Sequence, residues 1–160
     1  MKIEIFPSGP LDTNAYLVSC EKLREAVLID APSGAFGEIS ARLKEENLRL
    51  AAVLLTHGHW DHIGDAGRIS REFEVPIVAG ADGRPLIEDP DFQQSRLFAG
   101  APLDKMSIGV EAKDGDVLEY AGFKIRCIDV PGHCPGSLAF VFEEGGNCLL
   151  YTSDAADDLT

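Results

Sequence analysis

Residues 56–62 read Thr-His-Gly-His-Trp-Asp-His and constrain this chain more than any other stretch. They follow a short aliphatic run, residues 51–55, whose length and composition predict a buried strand. Three of the four histidines of the chain lie in this stretch, and Gly58 permits a sharp backbone path between them. Imidazole and carboxylate groups are the ligands that zinc and similar divalent ions take. Such crowding favours a metal site over a set of solvated polar side chains.

The fourth histidine, His133, lies in a second turn that also follows an apolar run. His57, His59 and His133 can together make a three-histidine site for one ion. Asp61 and His62 lie on the same first loop, but their side chains are expected to point in another direction than those of His57 and His59. They can therefore bind a second ion. Cys134 adjoins His133, and adjacent residues on a tight turn rarely bind one ion well. We therefore expect Cys134 to support the site or to be neutral.

A site with ligands for two such ions predicts a hydrolytic centre. A pair of ions about 4 Å apart binds one bridging hydroxide and polarises a carbonyl or phosphoryl oxygen. Metal coordination lowers the pKa of the bound water, so that the water becomes a nucleophile. Asp61 can hold this water in line for attack and is the predicted catalytic residue. An ester, a thioester, a lactam or a phosphoester is a suitable substrate.

Hydrophobic patterns predict many strands and few helices. Residues 117–120 and 123–130 predict a hairpin, and residues 109–115 a loop. Strands in hairpins predict mixed sheets, with helices on the outer faces. The other predicted strands cover residues 2–6, 14–19, 26–30, 51–55, 75–79, 137–142 and 148–152, and the predicted helices residues 38–48, 64–73 and 91–99.

Asp30 lies at the end of a predicted strand, just before a turn. Its carboxylate has two equally good interpretations from spacing alone. It can cap the turn that follows. It can also support a metal-binding loop by accepting hydrogen bonds from the ligands.

Charge and hydropathy narrow the classes of partner. The net charge of −13 and the absence of a cluster of basic residues argue against nucleic-acid binding. No apolar run reaches membrane-spanning length. Apolar and charged residues alternate at the N-terminus, which includes Glu4, and this pattern is unlike a signal peptide. A length of 160 residues predicts one domain. We expect a cytoplasmic protein that acts on a small molecule; its oligomeric state is open.

The end of the chain predicts an incomplete domain. The last predicted strand is followed by an acidic segment, with no closing helix and no partner strand. Residues 148–157 resemble the translation of a sequencing-adapter sequence. We expect the parent protein to be longer and about residues 148–160 to be non-native. The alternative is a natural strand followed by a frayed acidic tail.

Both histidine motifs resemble the metallo-β-lactamase superfamily. Residues 57–62 match its H-x-H-x-D-H signature. Residues 131–137 are similar to its P-G-H-T-P-G-S turn, with Cys134 in place of threonine. The early segments 13–17 and 28–30 are also similar to the sequence pattern of this superfamily. The similarity covers residues 2 to about 152, and the order and spacing are closest to the glyoxalase II (hydroxyacylglutathione hydrolase)-like branch.

This resemblance implies an α+β fold, an αββα sandwich of two mixed β-sheets with outer helices. It also implies a dinuclear zinc site, with iron in some members. The bridging aspartate of the family falls at Asp154, in a Thr-Ser-Asp version of its T-G-D turn. Since no histidine follows Asp154, we expect a complete first metal site and a defective second one. The implied ligands are His57, His59 and His133 for the first ion, and Asp61, His62 and Asp154 for the second.

The function implied by the resemblance is hydrolysis of a thioester or ester, such as a hydroxyacylglutathione. Two alternatives stay open. One is a mononuclear iron oxidoreductase similar to persulfide dioxygenases, which needs only two histidines and an aspartate. A flavodiiron-like protein is disfavoured, because that pattern usually has glutamate where His59 stands. The other alternative is an inactive fragment.

Overall fold

The computed structural model of the chain describes residues 1–89, 92–93, 103–144 and 147–151. The described strands form two sheets, one of six strands and one of four. The larger sheet consists of β1 (Lys2–Ser8), β2 (Thr13–Cys20), β3 (Glu25–Ile29), β4 (Arg49–Leu54), β5 (Ile77–Gly80) and β6 (Val110–Ala112), in that order across the sheet. The smaller sheet consists of β7 (Val117–Tyr120), β8 (Phe123–Asp129), β9 (Leu138–Glu144) and β10 (Asn147–Tyr151), with β10 and β7 at its edges.

The larger sheet is mixed, as predicted. Strands β1, β2 and β3 form an antiparallel meander, whereas β3, β4, β5 and β6 run parallel. The parallel strands therefore place their carboxyl ends along one edge, where connecting loops can converge. The smaller sheet is antiparallel in all its described pairs and not mixed, because each strand pairs with the strand that follows it in the chain.

Four α-helices are described: α1 (Ala35–Glu45), α2 (Trp60–Ile63), α3 (Ala66–Phe73) and α4 (Arg84–Glu88), the last preceded by a 3₁₀ turn, Ala81–Gly83. All four contribute buried residues to one apolar cluster, which covers one face of the larger sheet. Leu28 of β3 faces this cluster, while its neighbour Ile29 faces a second one. This alternation is the period of two that a strand imposes.

The second cluster lies between the two sheets and is dominated by Phe140 and Phe142 of β9, both fully buried. Burying a large side chain of this kind contributes roughly 1.5–3 kcal/mol. Helices, larger sheet and smaller sheet thus form three successive layers of the predicted αββα sandwich. No helix of the described residues covers the outer face of the smaller sheet.

The predicted strands are present, with ends shifted by at most two residues. The prediction of a loop over residues 109–115 is wrong, because β6 pairs with β5 there through Val78 and Val110. A strand of three residues is too short to show a period. The short helices α2 and α4 were not predicted for the same reason. The helix predicted over residues 91–99 lies almost wholly outside the described residues. In the described part of the chain, no helix is long and apolar enough to span a membrane.

Helix α1 is capped from a distant part of the chain. Gly34 and Phe36 donate their backbone N–H groups to Oδ2 of Asp65, at 2.8 and 2.9 Å. Asp65 immediately precedes α3. This single carboxylate therefore satisfies two of the free N–H groups of α1 and ties it to the helix that follows the histidine loop.

Candidate metal centre

The histidine loop starts at the carboxyl end of β4, between the two neighbours of that strand in the sheet. Thr56 and His57 are 2% and 1% exposed, so the loop begins inside the protein. His59 precedes α2 in an extended conformation, and α2 then carries Asp61 and His62 on a single helical turn. A rigid sheet edge thus holds the four predicted ligands of this loop.

Asp30 organises this loop from the end of the adjacent strand β3. Its side chain is buried and accepts three hydrogen bonds of 2.8 Å: from the Thr56 backbone N–H, the Thr56 hydroxyl and Nδ1 of His62. Its φ of 57° is unusual for a residue other than glycine and turns the carboxylate into the protein. The structure therefore agrees with the second interpretation of Asp30, in which its carboxylate supports the loop that carries the ligands.

This network sets the proton positions of two imidazoles. A carboxylate only accepts hydrogen bonds, so Nδ1 of His62 carries the proton. The Thr56 hydroxyl donates to Asp30, so its oxygen accepts from Nδ1 of His57 at 3.0 Å. Both rings are left with a lone pair on Nε2. An imidazole lone pair is the form that binds a metal ion.

The histidines of the two motifs converge. Nε2 of His57 lies 3.1 Å from Nε2 of His133, although 76 positions separate these residues. The ring centroids of His57 and His59 are 4.7 Å apart, and those of His59 and His133 are 4.6 Å apart. Two nitrogen ligands at a tetrahedral angle on one zinc ion are about 3.4 Å apart. The spacing of these donors fits a shared divalent ion.

His57 is held neutral. Burial, with a smaller effect from the charges that His62, His59 and His133 would carry, lowers its pKa to about 2. Protons therefore do not compete for this ring at neutral pH. Its lone pair remains available to a metal ion.

Asp61 and His62 form a second pair of donors beside the first. Oδ2 of Asp61 lies 3.4 Å from Nε2 of His62, again a separation that one shared ion would produce. Oδ2 of Asp61 also accepts a hydrogen bond of 3.1 Å from the Thr13 hydroxyl, at the start of β2. The sequence did not single out Thr13 for this contact, although Thr13 belongs to one of the matching segments.

Gln93 is a further contact of the loop that sequence reasoning missed. Its Oε1 accepts from the backbone N–H of Trp60 at 3.0 Å, and its Nε2 donates to the carbonyls of Gly58 and Leu86 at 2.5 and 2.9 Å. The side chain therefore ties the main chain on both sides of His59 to α4. A glutamine in a predicted helix carries no sequence signal for such a role.

Gly58 is required for packing and not for an unusual backbone angle. It does not have a positive φ, contrary to the sharp path expected from sequence. A Cβ atom at this position would lie only 2.7 Å from Cβ of Leu86. Glycine therefore allows α4 to lie directly against the histidine loop.

Two contacts position the turn of His133, one with the histidine loop and one with the 3₁₀ turn. The backbone N–H of Leu138 donates to the carbonyl of Thr56 at 2.7 Å, which joins the start of β9 to the histidine loop. Gly136 has a φ of 75°, and a Cβ there would lie 2.8 Å from Cα of Gly83. The turn thus packs main chain to main chain against the 3₁₀ turn, which only glycine permits.

Cys134 lies closer to the centre than expected. Among the described residues, the donor atoms of His57, His59 and Cys134 all lie within 4.8 Å of one another. The predicted ligand Asp154 lies outside the described residues. The structure thus brings together five of the six predicted site residues and adds a thiol to them.

The family model of the metallo-beta-lactamase superfamily matches residues 8–156. The chain belongs to this superfamily. An uncharacterized protein of Mycobacterium tuberculosis is 35% identical over 96% of this chain and 72% of its own length. The protein named hydroxyacylglutathione hydrolase GloC of Haemophilus influenzae is 30% identical, over 90% of this chain and 68% of its own.

A solved structure of the superfamily confirms the fold. The crystal structure of the BLEG-1 B3 metallo-beta-lactamase superposes with a TM-score of 0.79 at 31% identity. The match covers 88% of this chain and 67% of that chain. The predicted superfamily and its sandwich fold are therefore both confirmed.

Proposed function

We propose that this chain is a metal-dependent hydrolase that cleaves a thioester or ester, of the hydroxyacylglutathione type. The observation that carries the proposal is the 3.1 Å approach of the Nε2 atoms of His57 and His133, beside His59. Nε2 of His57 presents a lone pair, and its distance from Nε2 of His133 is close to the separation of two nitrogen ligands of one cation. The similarity to the hydrolase GloC supports the substrate class.

His57, His59 and His133 would hold one ion, with zinc proposed and iron as the alternative. Asp61 and His62 would contribute to a second site together with Asp154, a site that is incomplete in this chain because no histidine follows Asp154. The bound ions would supply Lewis acidity and lower the pKa of a water molecule, so that it attacks the substrate carbonyl near neutral pH.

The side chains of this protein have three tasks in that reaction. Asp30 keeps the lone pairs of His57 and His62 directed into the centre, through its bonds to Thr56 and His62. Asp61, oriented by the Thr13 hydroxyl, accepts a hydrogen bond from the attacking water and holds it in line. The burial of His57 excludes bulk water and protons from the inner side of the site.

Thioester hydrolysis by the purified chain tests the proposal. We expect turnover of a hydroxyacylglutathione in the presence of zinc, its loss on chelation, and its return when zinc is added again. The His57→Ala variant should bind less metal and lose activity. Turnover that is insensitive to a chelator would contradict the proposal. Oxygen consumption with a persulfide substrate and one iron per chain would favour the dioxygenase alternative.

The cytoplasmic location and the absence of nucleic-acid partners stay predictions. The second of these predictions agrees with the proposal, because a hydroxyacylglutathione is a small molecule. The net charge of −13 disfavours a polyanionic substrate.

A further inference from the structure

His59 lies at a position in the chain where a side chain usually caps a helix. It directly precedes α2 (Trp60–Ile63), with an extended backbone conformation and no capping hydrogen bond from its own side chain. A side chain at such a position commonly accepts a hydrogen bond from a free N–H group of the first turn. The ring of His59 instead lies beside that of His133, with 4.6 Å between the ring centroids. The start of α2 therefore needs a cap from another part of the chain.

Gln93 supplies this cap and also holds the chain that precedes His59. Its Oε1 accepts a hydrogen bond from the backbone N–H of Trp60 at 3.0 Å, and its Nε2 donates to the carbonyl of Gly58 at 2.5 Å. Only one orientation of the amide places its oxygen on an N–H group and its nitrogen on a carbonyl. One side chain thus fixes a polar group on each side of His59.

These two contacts restrict the backbone angles of His59. The carbonyl of Gly58 belongs to the peptide group before His59, and the N–H of Trp60 belongs to the peptide group after it. Because each peptide group is planar, holding both planes leaves φ and ψ of His59 little freedom. The direction of its Cα–Cβ bond, from which the imidazole reaches the centre, therefore depends on Gln93.

Gln93 is itself anchored to α4. Its Nε2 also donates to the carbonyl of Leu86 at 2.9 Å, in the last turn of that helix, where carbonyls have no partner within the helix. The end of α4 is held in turn by Glu88, whose carboxylate accepts a hydrogen bond of 2.9 Å from the backbone N–H of Ile108. The amide of Gln93 therefore joins the chain around His59 to an element that is fixed from its other side.

The other ligands of the histidine loop are oriented through their side chains. Hydrogen bonds to His57, His62 and Asp61 come from Thr56, Asp30 and Thr13, respectively. Gln93 acts on His59 through the main chain, so these contacts do not occupy the imidazole.

We propose that Gln93 is the positioning residue of His59. Its amide takes over the capping of α2 and leaves the imidazole of His59 free to bind the metal ion. The proposal rests on the metal site of the proposed function. Without the amide, the peptide groups on both sides of His59 can rotate, and the ring no longer stays directed at the ion. The affinity for the ion should therefore fall.

The zinc affinity of the full chain, measured by competition with a chromophoric chelator, is the first readout. Gln93→Met fills a similar space without hydrogen bonds and should lower the affinity about 10–100-fold. Gln93→Glu keeps the acceptor for Trp60 but turns a carboxylate oxygen towards the carbonyl of Gly58, so it should lower the affinity as well. Ser70→Ala is the matched control: it removes another part-buried hydrogen bond to a backbone carbonyl, that of Val75, and should leave zinc affinity unchanged.

A double-mutant cycle separates positioning from a general effect on the fold. If Gln93 acts through His59, Gln93→Met has no ligand left to displace in the His59→Ala chain, and its effect on affinity should disappear there. A residue that only stabilises the fold would weaken binding by the same factor in both chains. The cycle is measured with Cu²⁺, which binds nitrogen ligands more tightly than Zn²⁺ and keeps the affinity of His59→Ala measurable.

Urea unfolding of the apo chains shows which variants fold. The fluorescence of Trp60, the only tryptophan of the sequence, follows the transition. If Gln93→Met does not fold, Gln93→Glu takes its place in both measurements, because it keeps the cap of α2.

The outcomes separate this proposal from the proposed function. Parent-like zinc affinity in a folded Gln93→Met or Gln93→Glu chain would overturn the positioning role and leave the hydrolase proposal intact. An effect of the same size in His59→Ala would equally overturn it. Zinc binding that depends on Gln93, without thioester turnover, would support the positioning role and contradict the hydrolase. A parent chain that binds neither ion would overturn both.

Discussion

Replacing Asp30 with asparagine changes one atom and should reverse the proton positions on which the metal site depends. Oδ2 of Asp30 accepts from both the Thr56 hydroxyl and Nδ1 of His62. An amide nitrogen in place of Oδ2 presents N–H groups to these atoms. The proton of His62 then moves from Nδ1 to Nε2, the atom that faces Asp61. The Thr56 hydroxyl can turn to donate to His57, which shifts the proton of that ring as well.

The size of the effect follows from the contacts. Loss of an outer hydrogen-bond partner of a metal ligand lowers affinity about 10–100-fold, which is the expected range for Asp30→Asn. Hydrogen bonds to a charged group contribute about 1.5–3 kcal/mol each. Asn keeps the bond from the Thr56 backbone, so the free energy of unfolding of the apo chain should fall by about 2–4 kcal/mol. Asp30→Ala leaves three buried donors unpaired and should cost more, about 3–5 kcal/mol.

Two assays measure these quantities separately. Urea unfolding with a chelator present gives the stability of the apo chain, and competition with a chromophoric chelator gives the zinc affinity. Asp65→Asn is the control, because Asp65 accepts two backbone N–H groups at α1 and an amide oxygen can still accept them. It should leave zinc affinity unchanged. Parent-like zinc affinity in Asp30→Asn would refute the argument that this carboxylate sets the histidine tautomers.

Three further predictions concern other contacts. Thr13→Val removes the hydroxyl that orients Asp61 and should lower kcat more than zinc affinity, measured by thioester turnover and chelator competition. Gly136→Ala forces a side chain onto the 3₁₀ turn and should destabilise the apo chain by about 1–3 kcal/mol in urea while weakening zinc binding through His133. The pKa of the Cys127 thiol is raised to about 11, so its contribution to stability is complete below pH 9 and is lost as the pH rises through about 11. The difference in the free energy of unfolding between the parent chain and Cys127→Ala should therefore shrink by about 2–3 kcal/mol over that pH range.

Much of the fold could be predicted from sequence because local patterns dictate it. The alternation of Leu28 and Ile29 between two cores is the period of a buried strand. The third residue of β6, Ala112, is buried by its neighbours in the sheet and not by any pattern in its own segment. The pairing of β5 with β6 is a tertiary contact, so no periodicity announced it.

The ligand residues could be predicted from sequence because metal chemistry restricts which side chains can do the work. Their supports could not, because many residue types can donate a hydrogen bond. Thr13 and Gln93 reach the loop from positions 48 and 35 residues away from their partners. The position of Asp30 in the sequence fits two interpretations, and only its three hydrogen bonds decide between them. The sequence does not predict that the thiol of Cys134 lies near His57 and His59, because this proximity depends on the arrangement of the turn.

A metal ion at this centre would act as a cross-link between the two sheets. It would join His57, after β4, to His133, before β9, across 76 positions. The chain-entropy model gives about 4–5 kcal/mol for a cross-link closing a loop of that length. Most of that closure is already made by the 2.7 Å bond from Leu138 to Thr56 and by the apolar layer around Phe140. The donors of the metal site are therefore already in place before an ion binds, and the two sheets pack together without the ion.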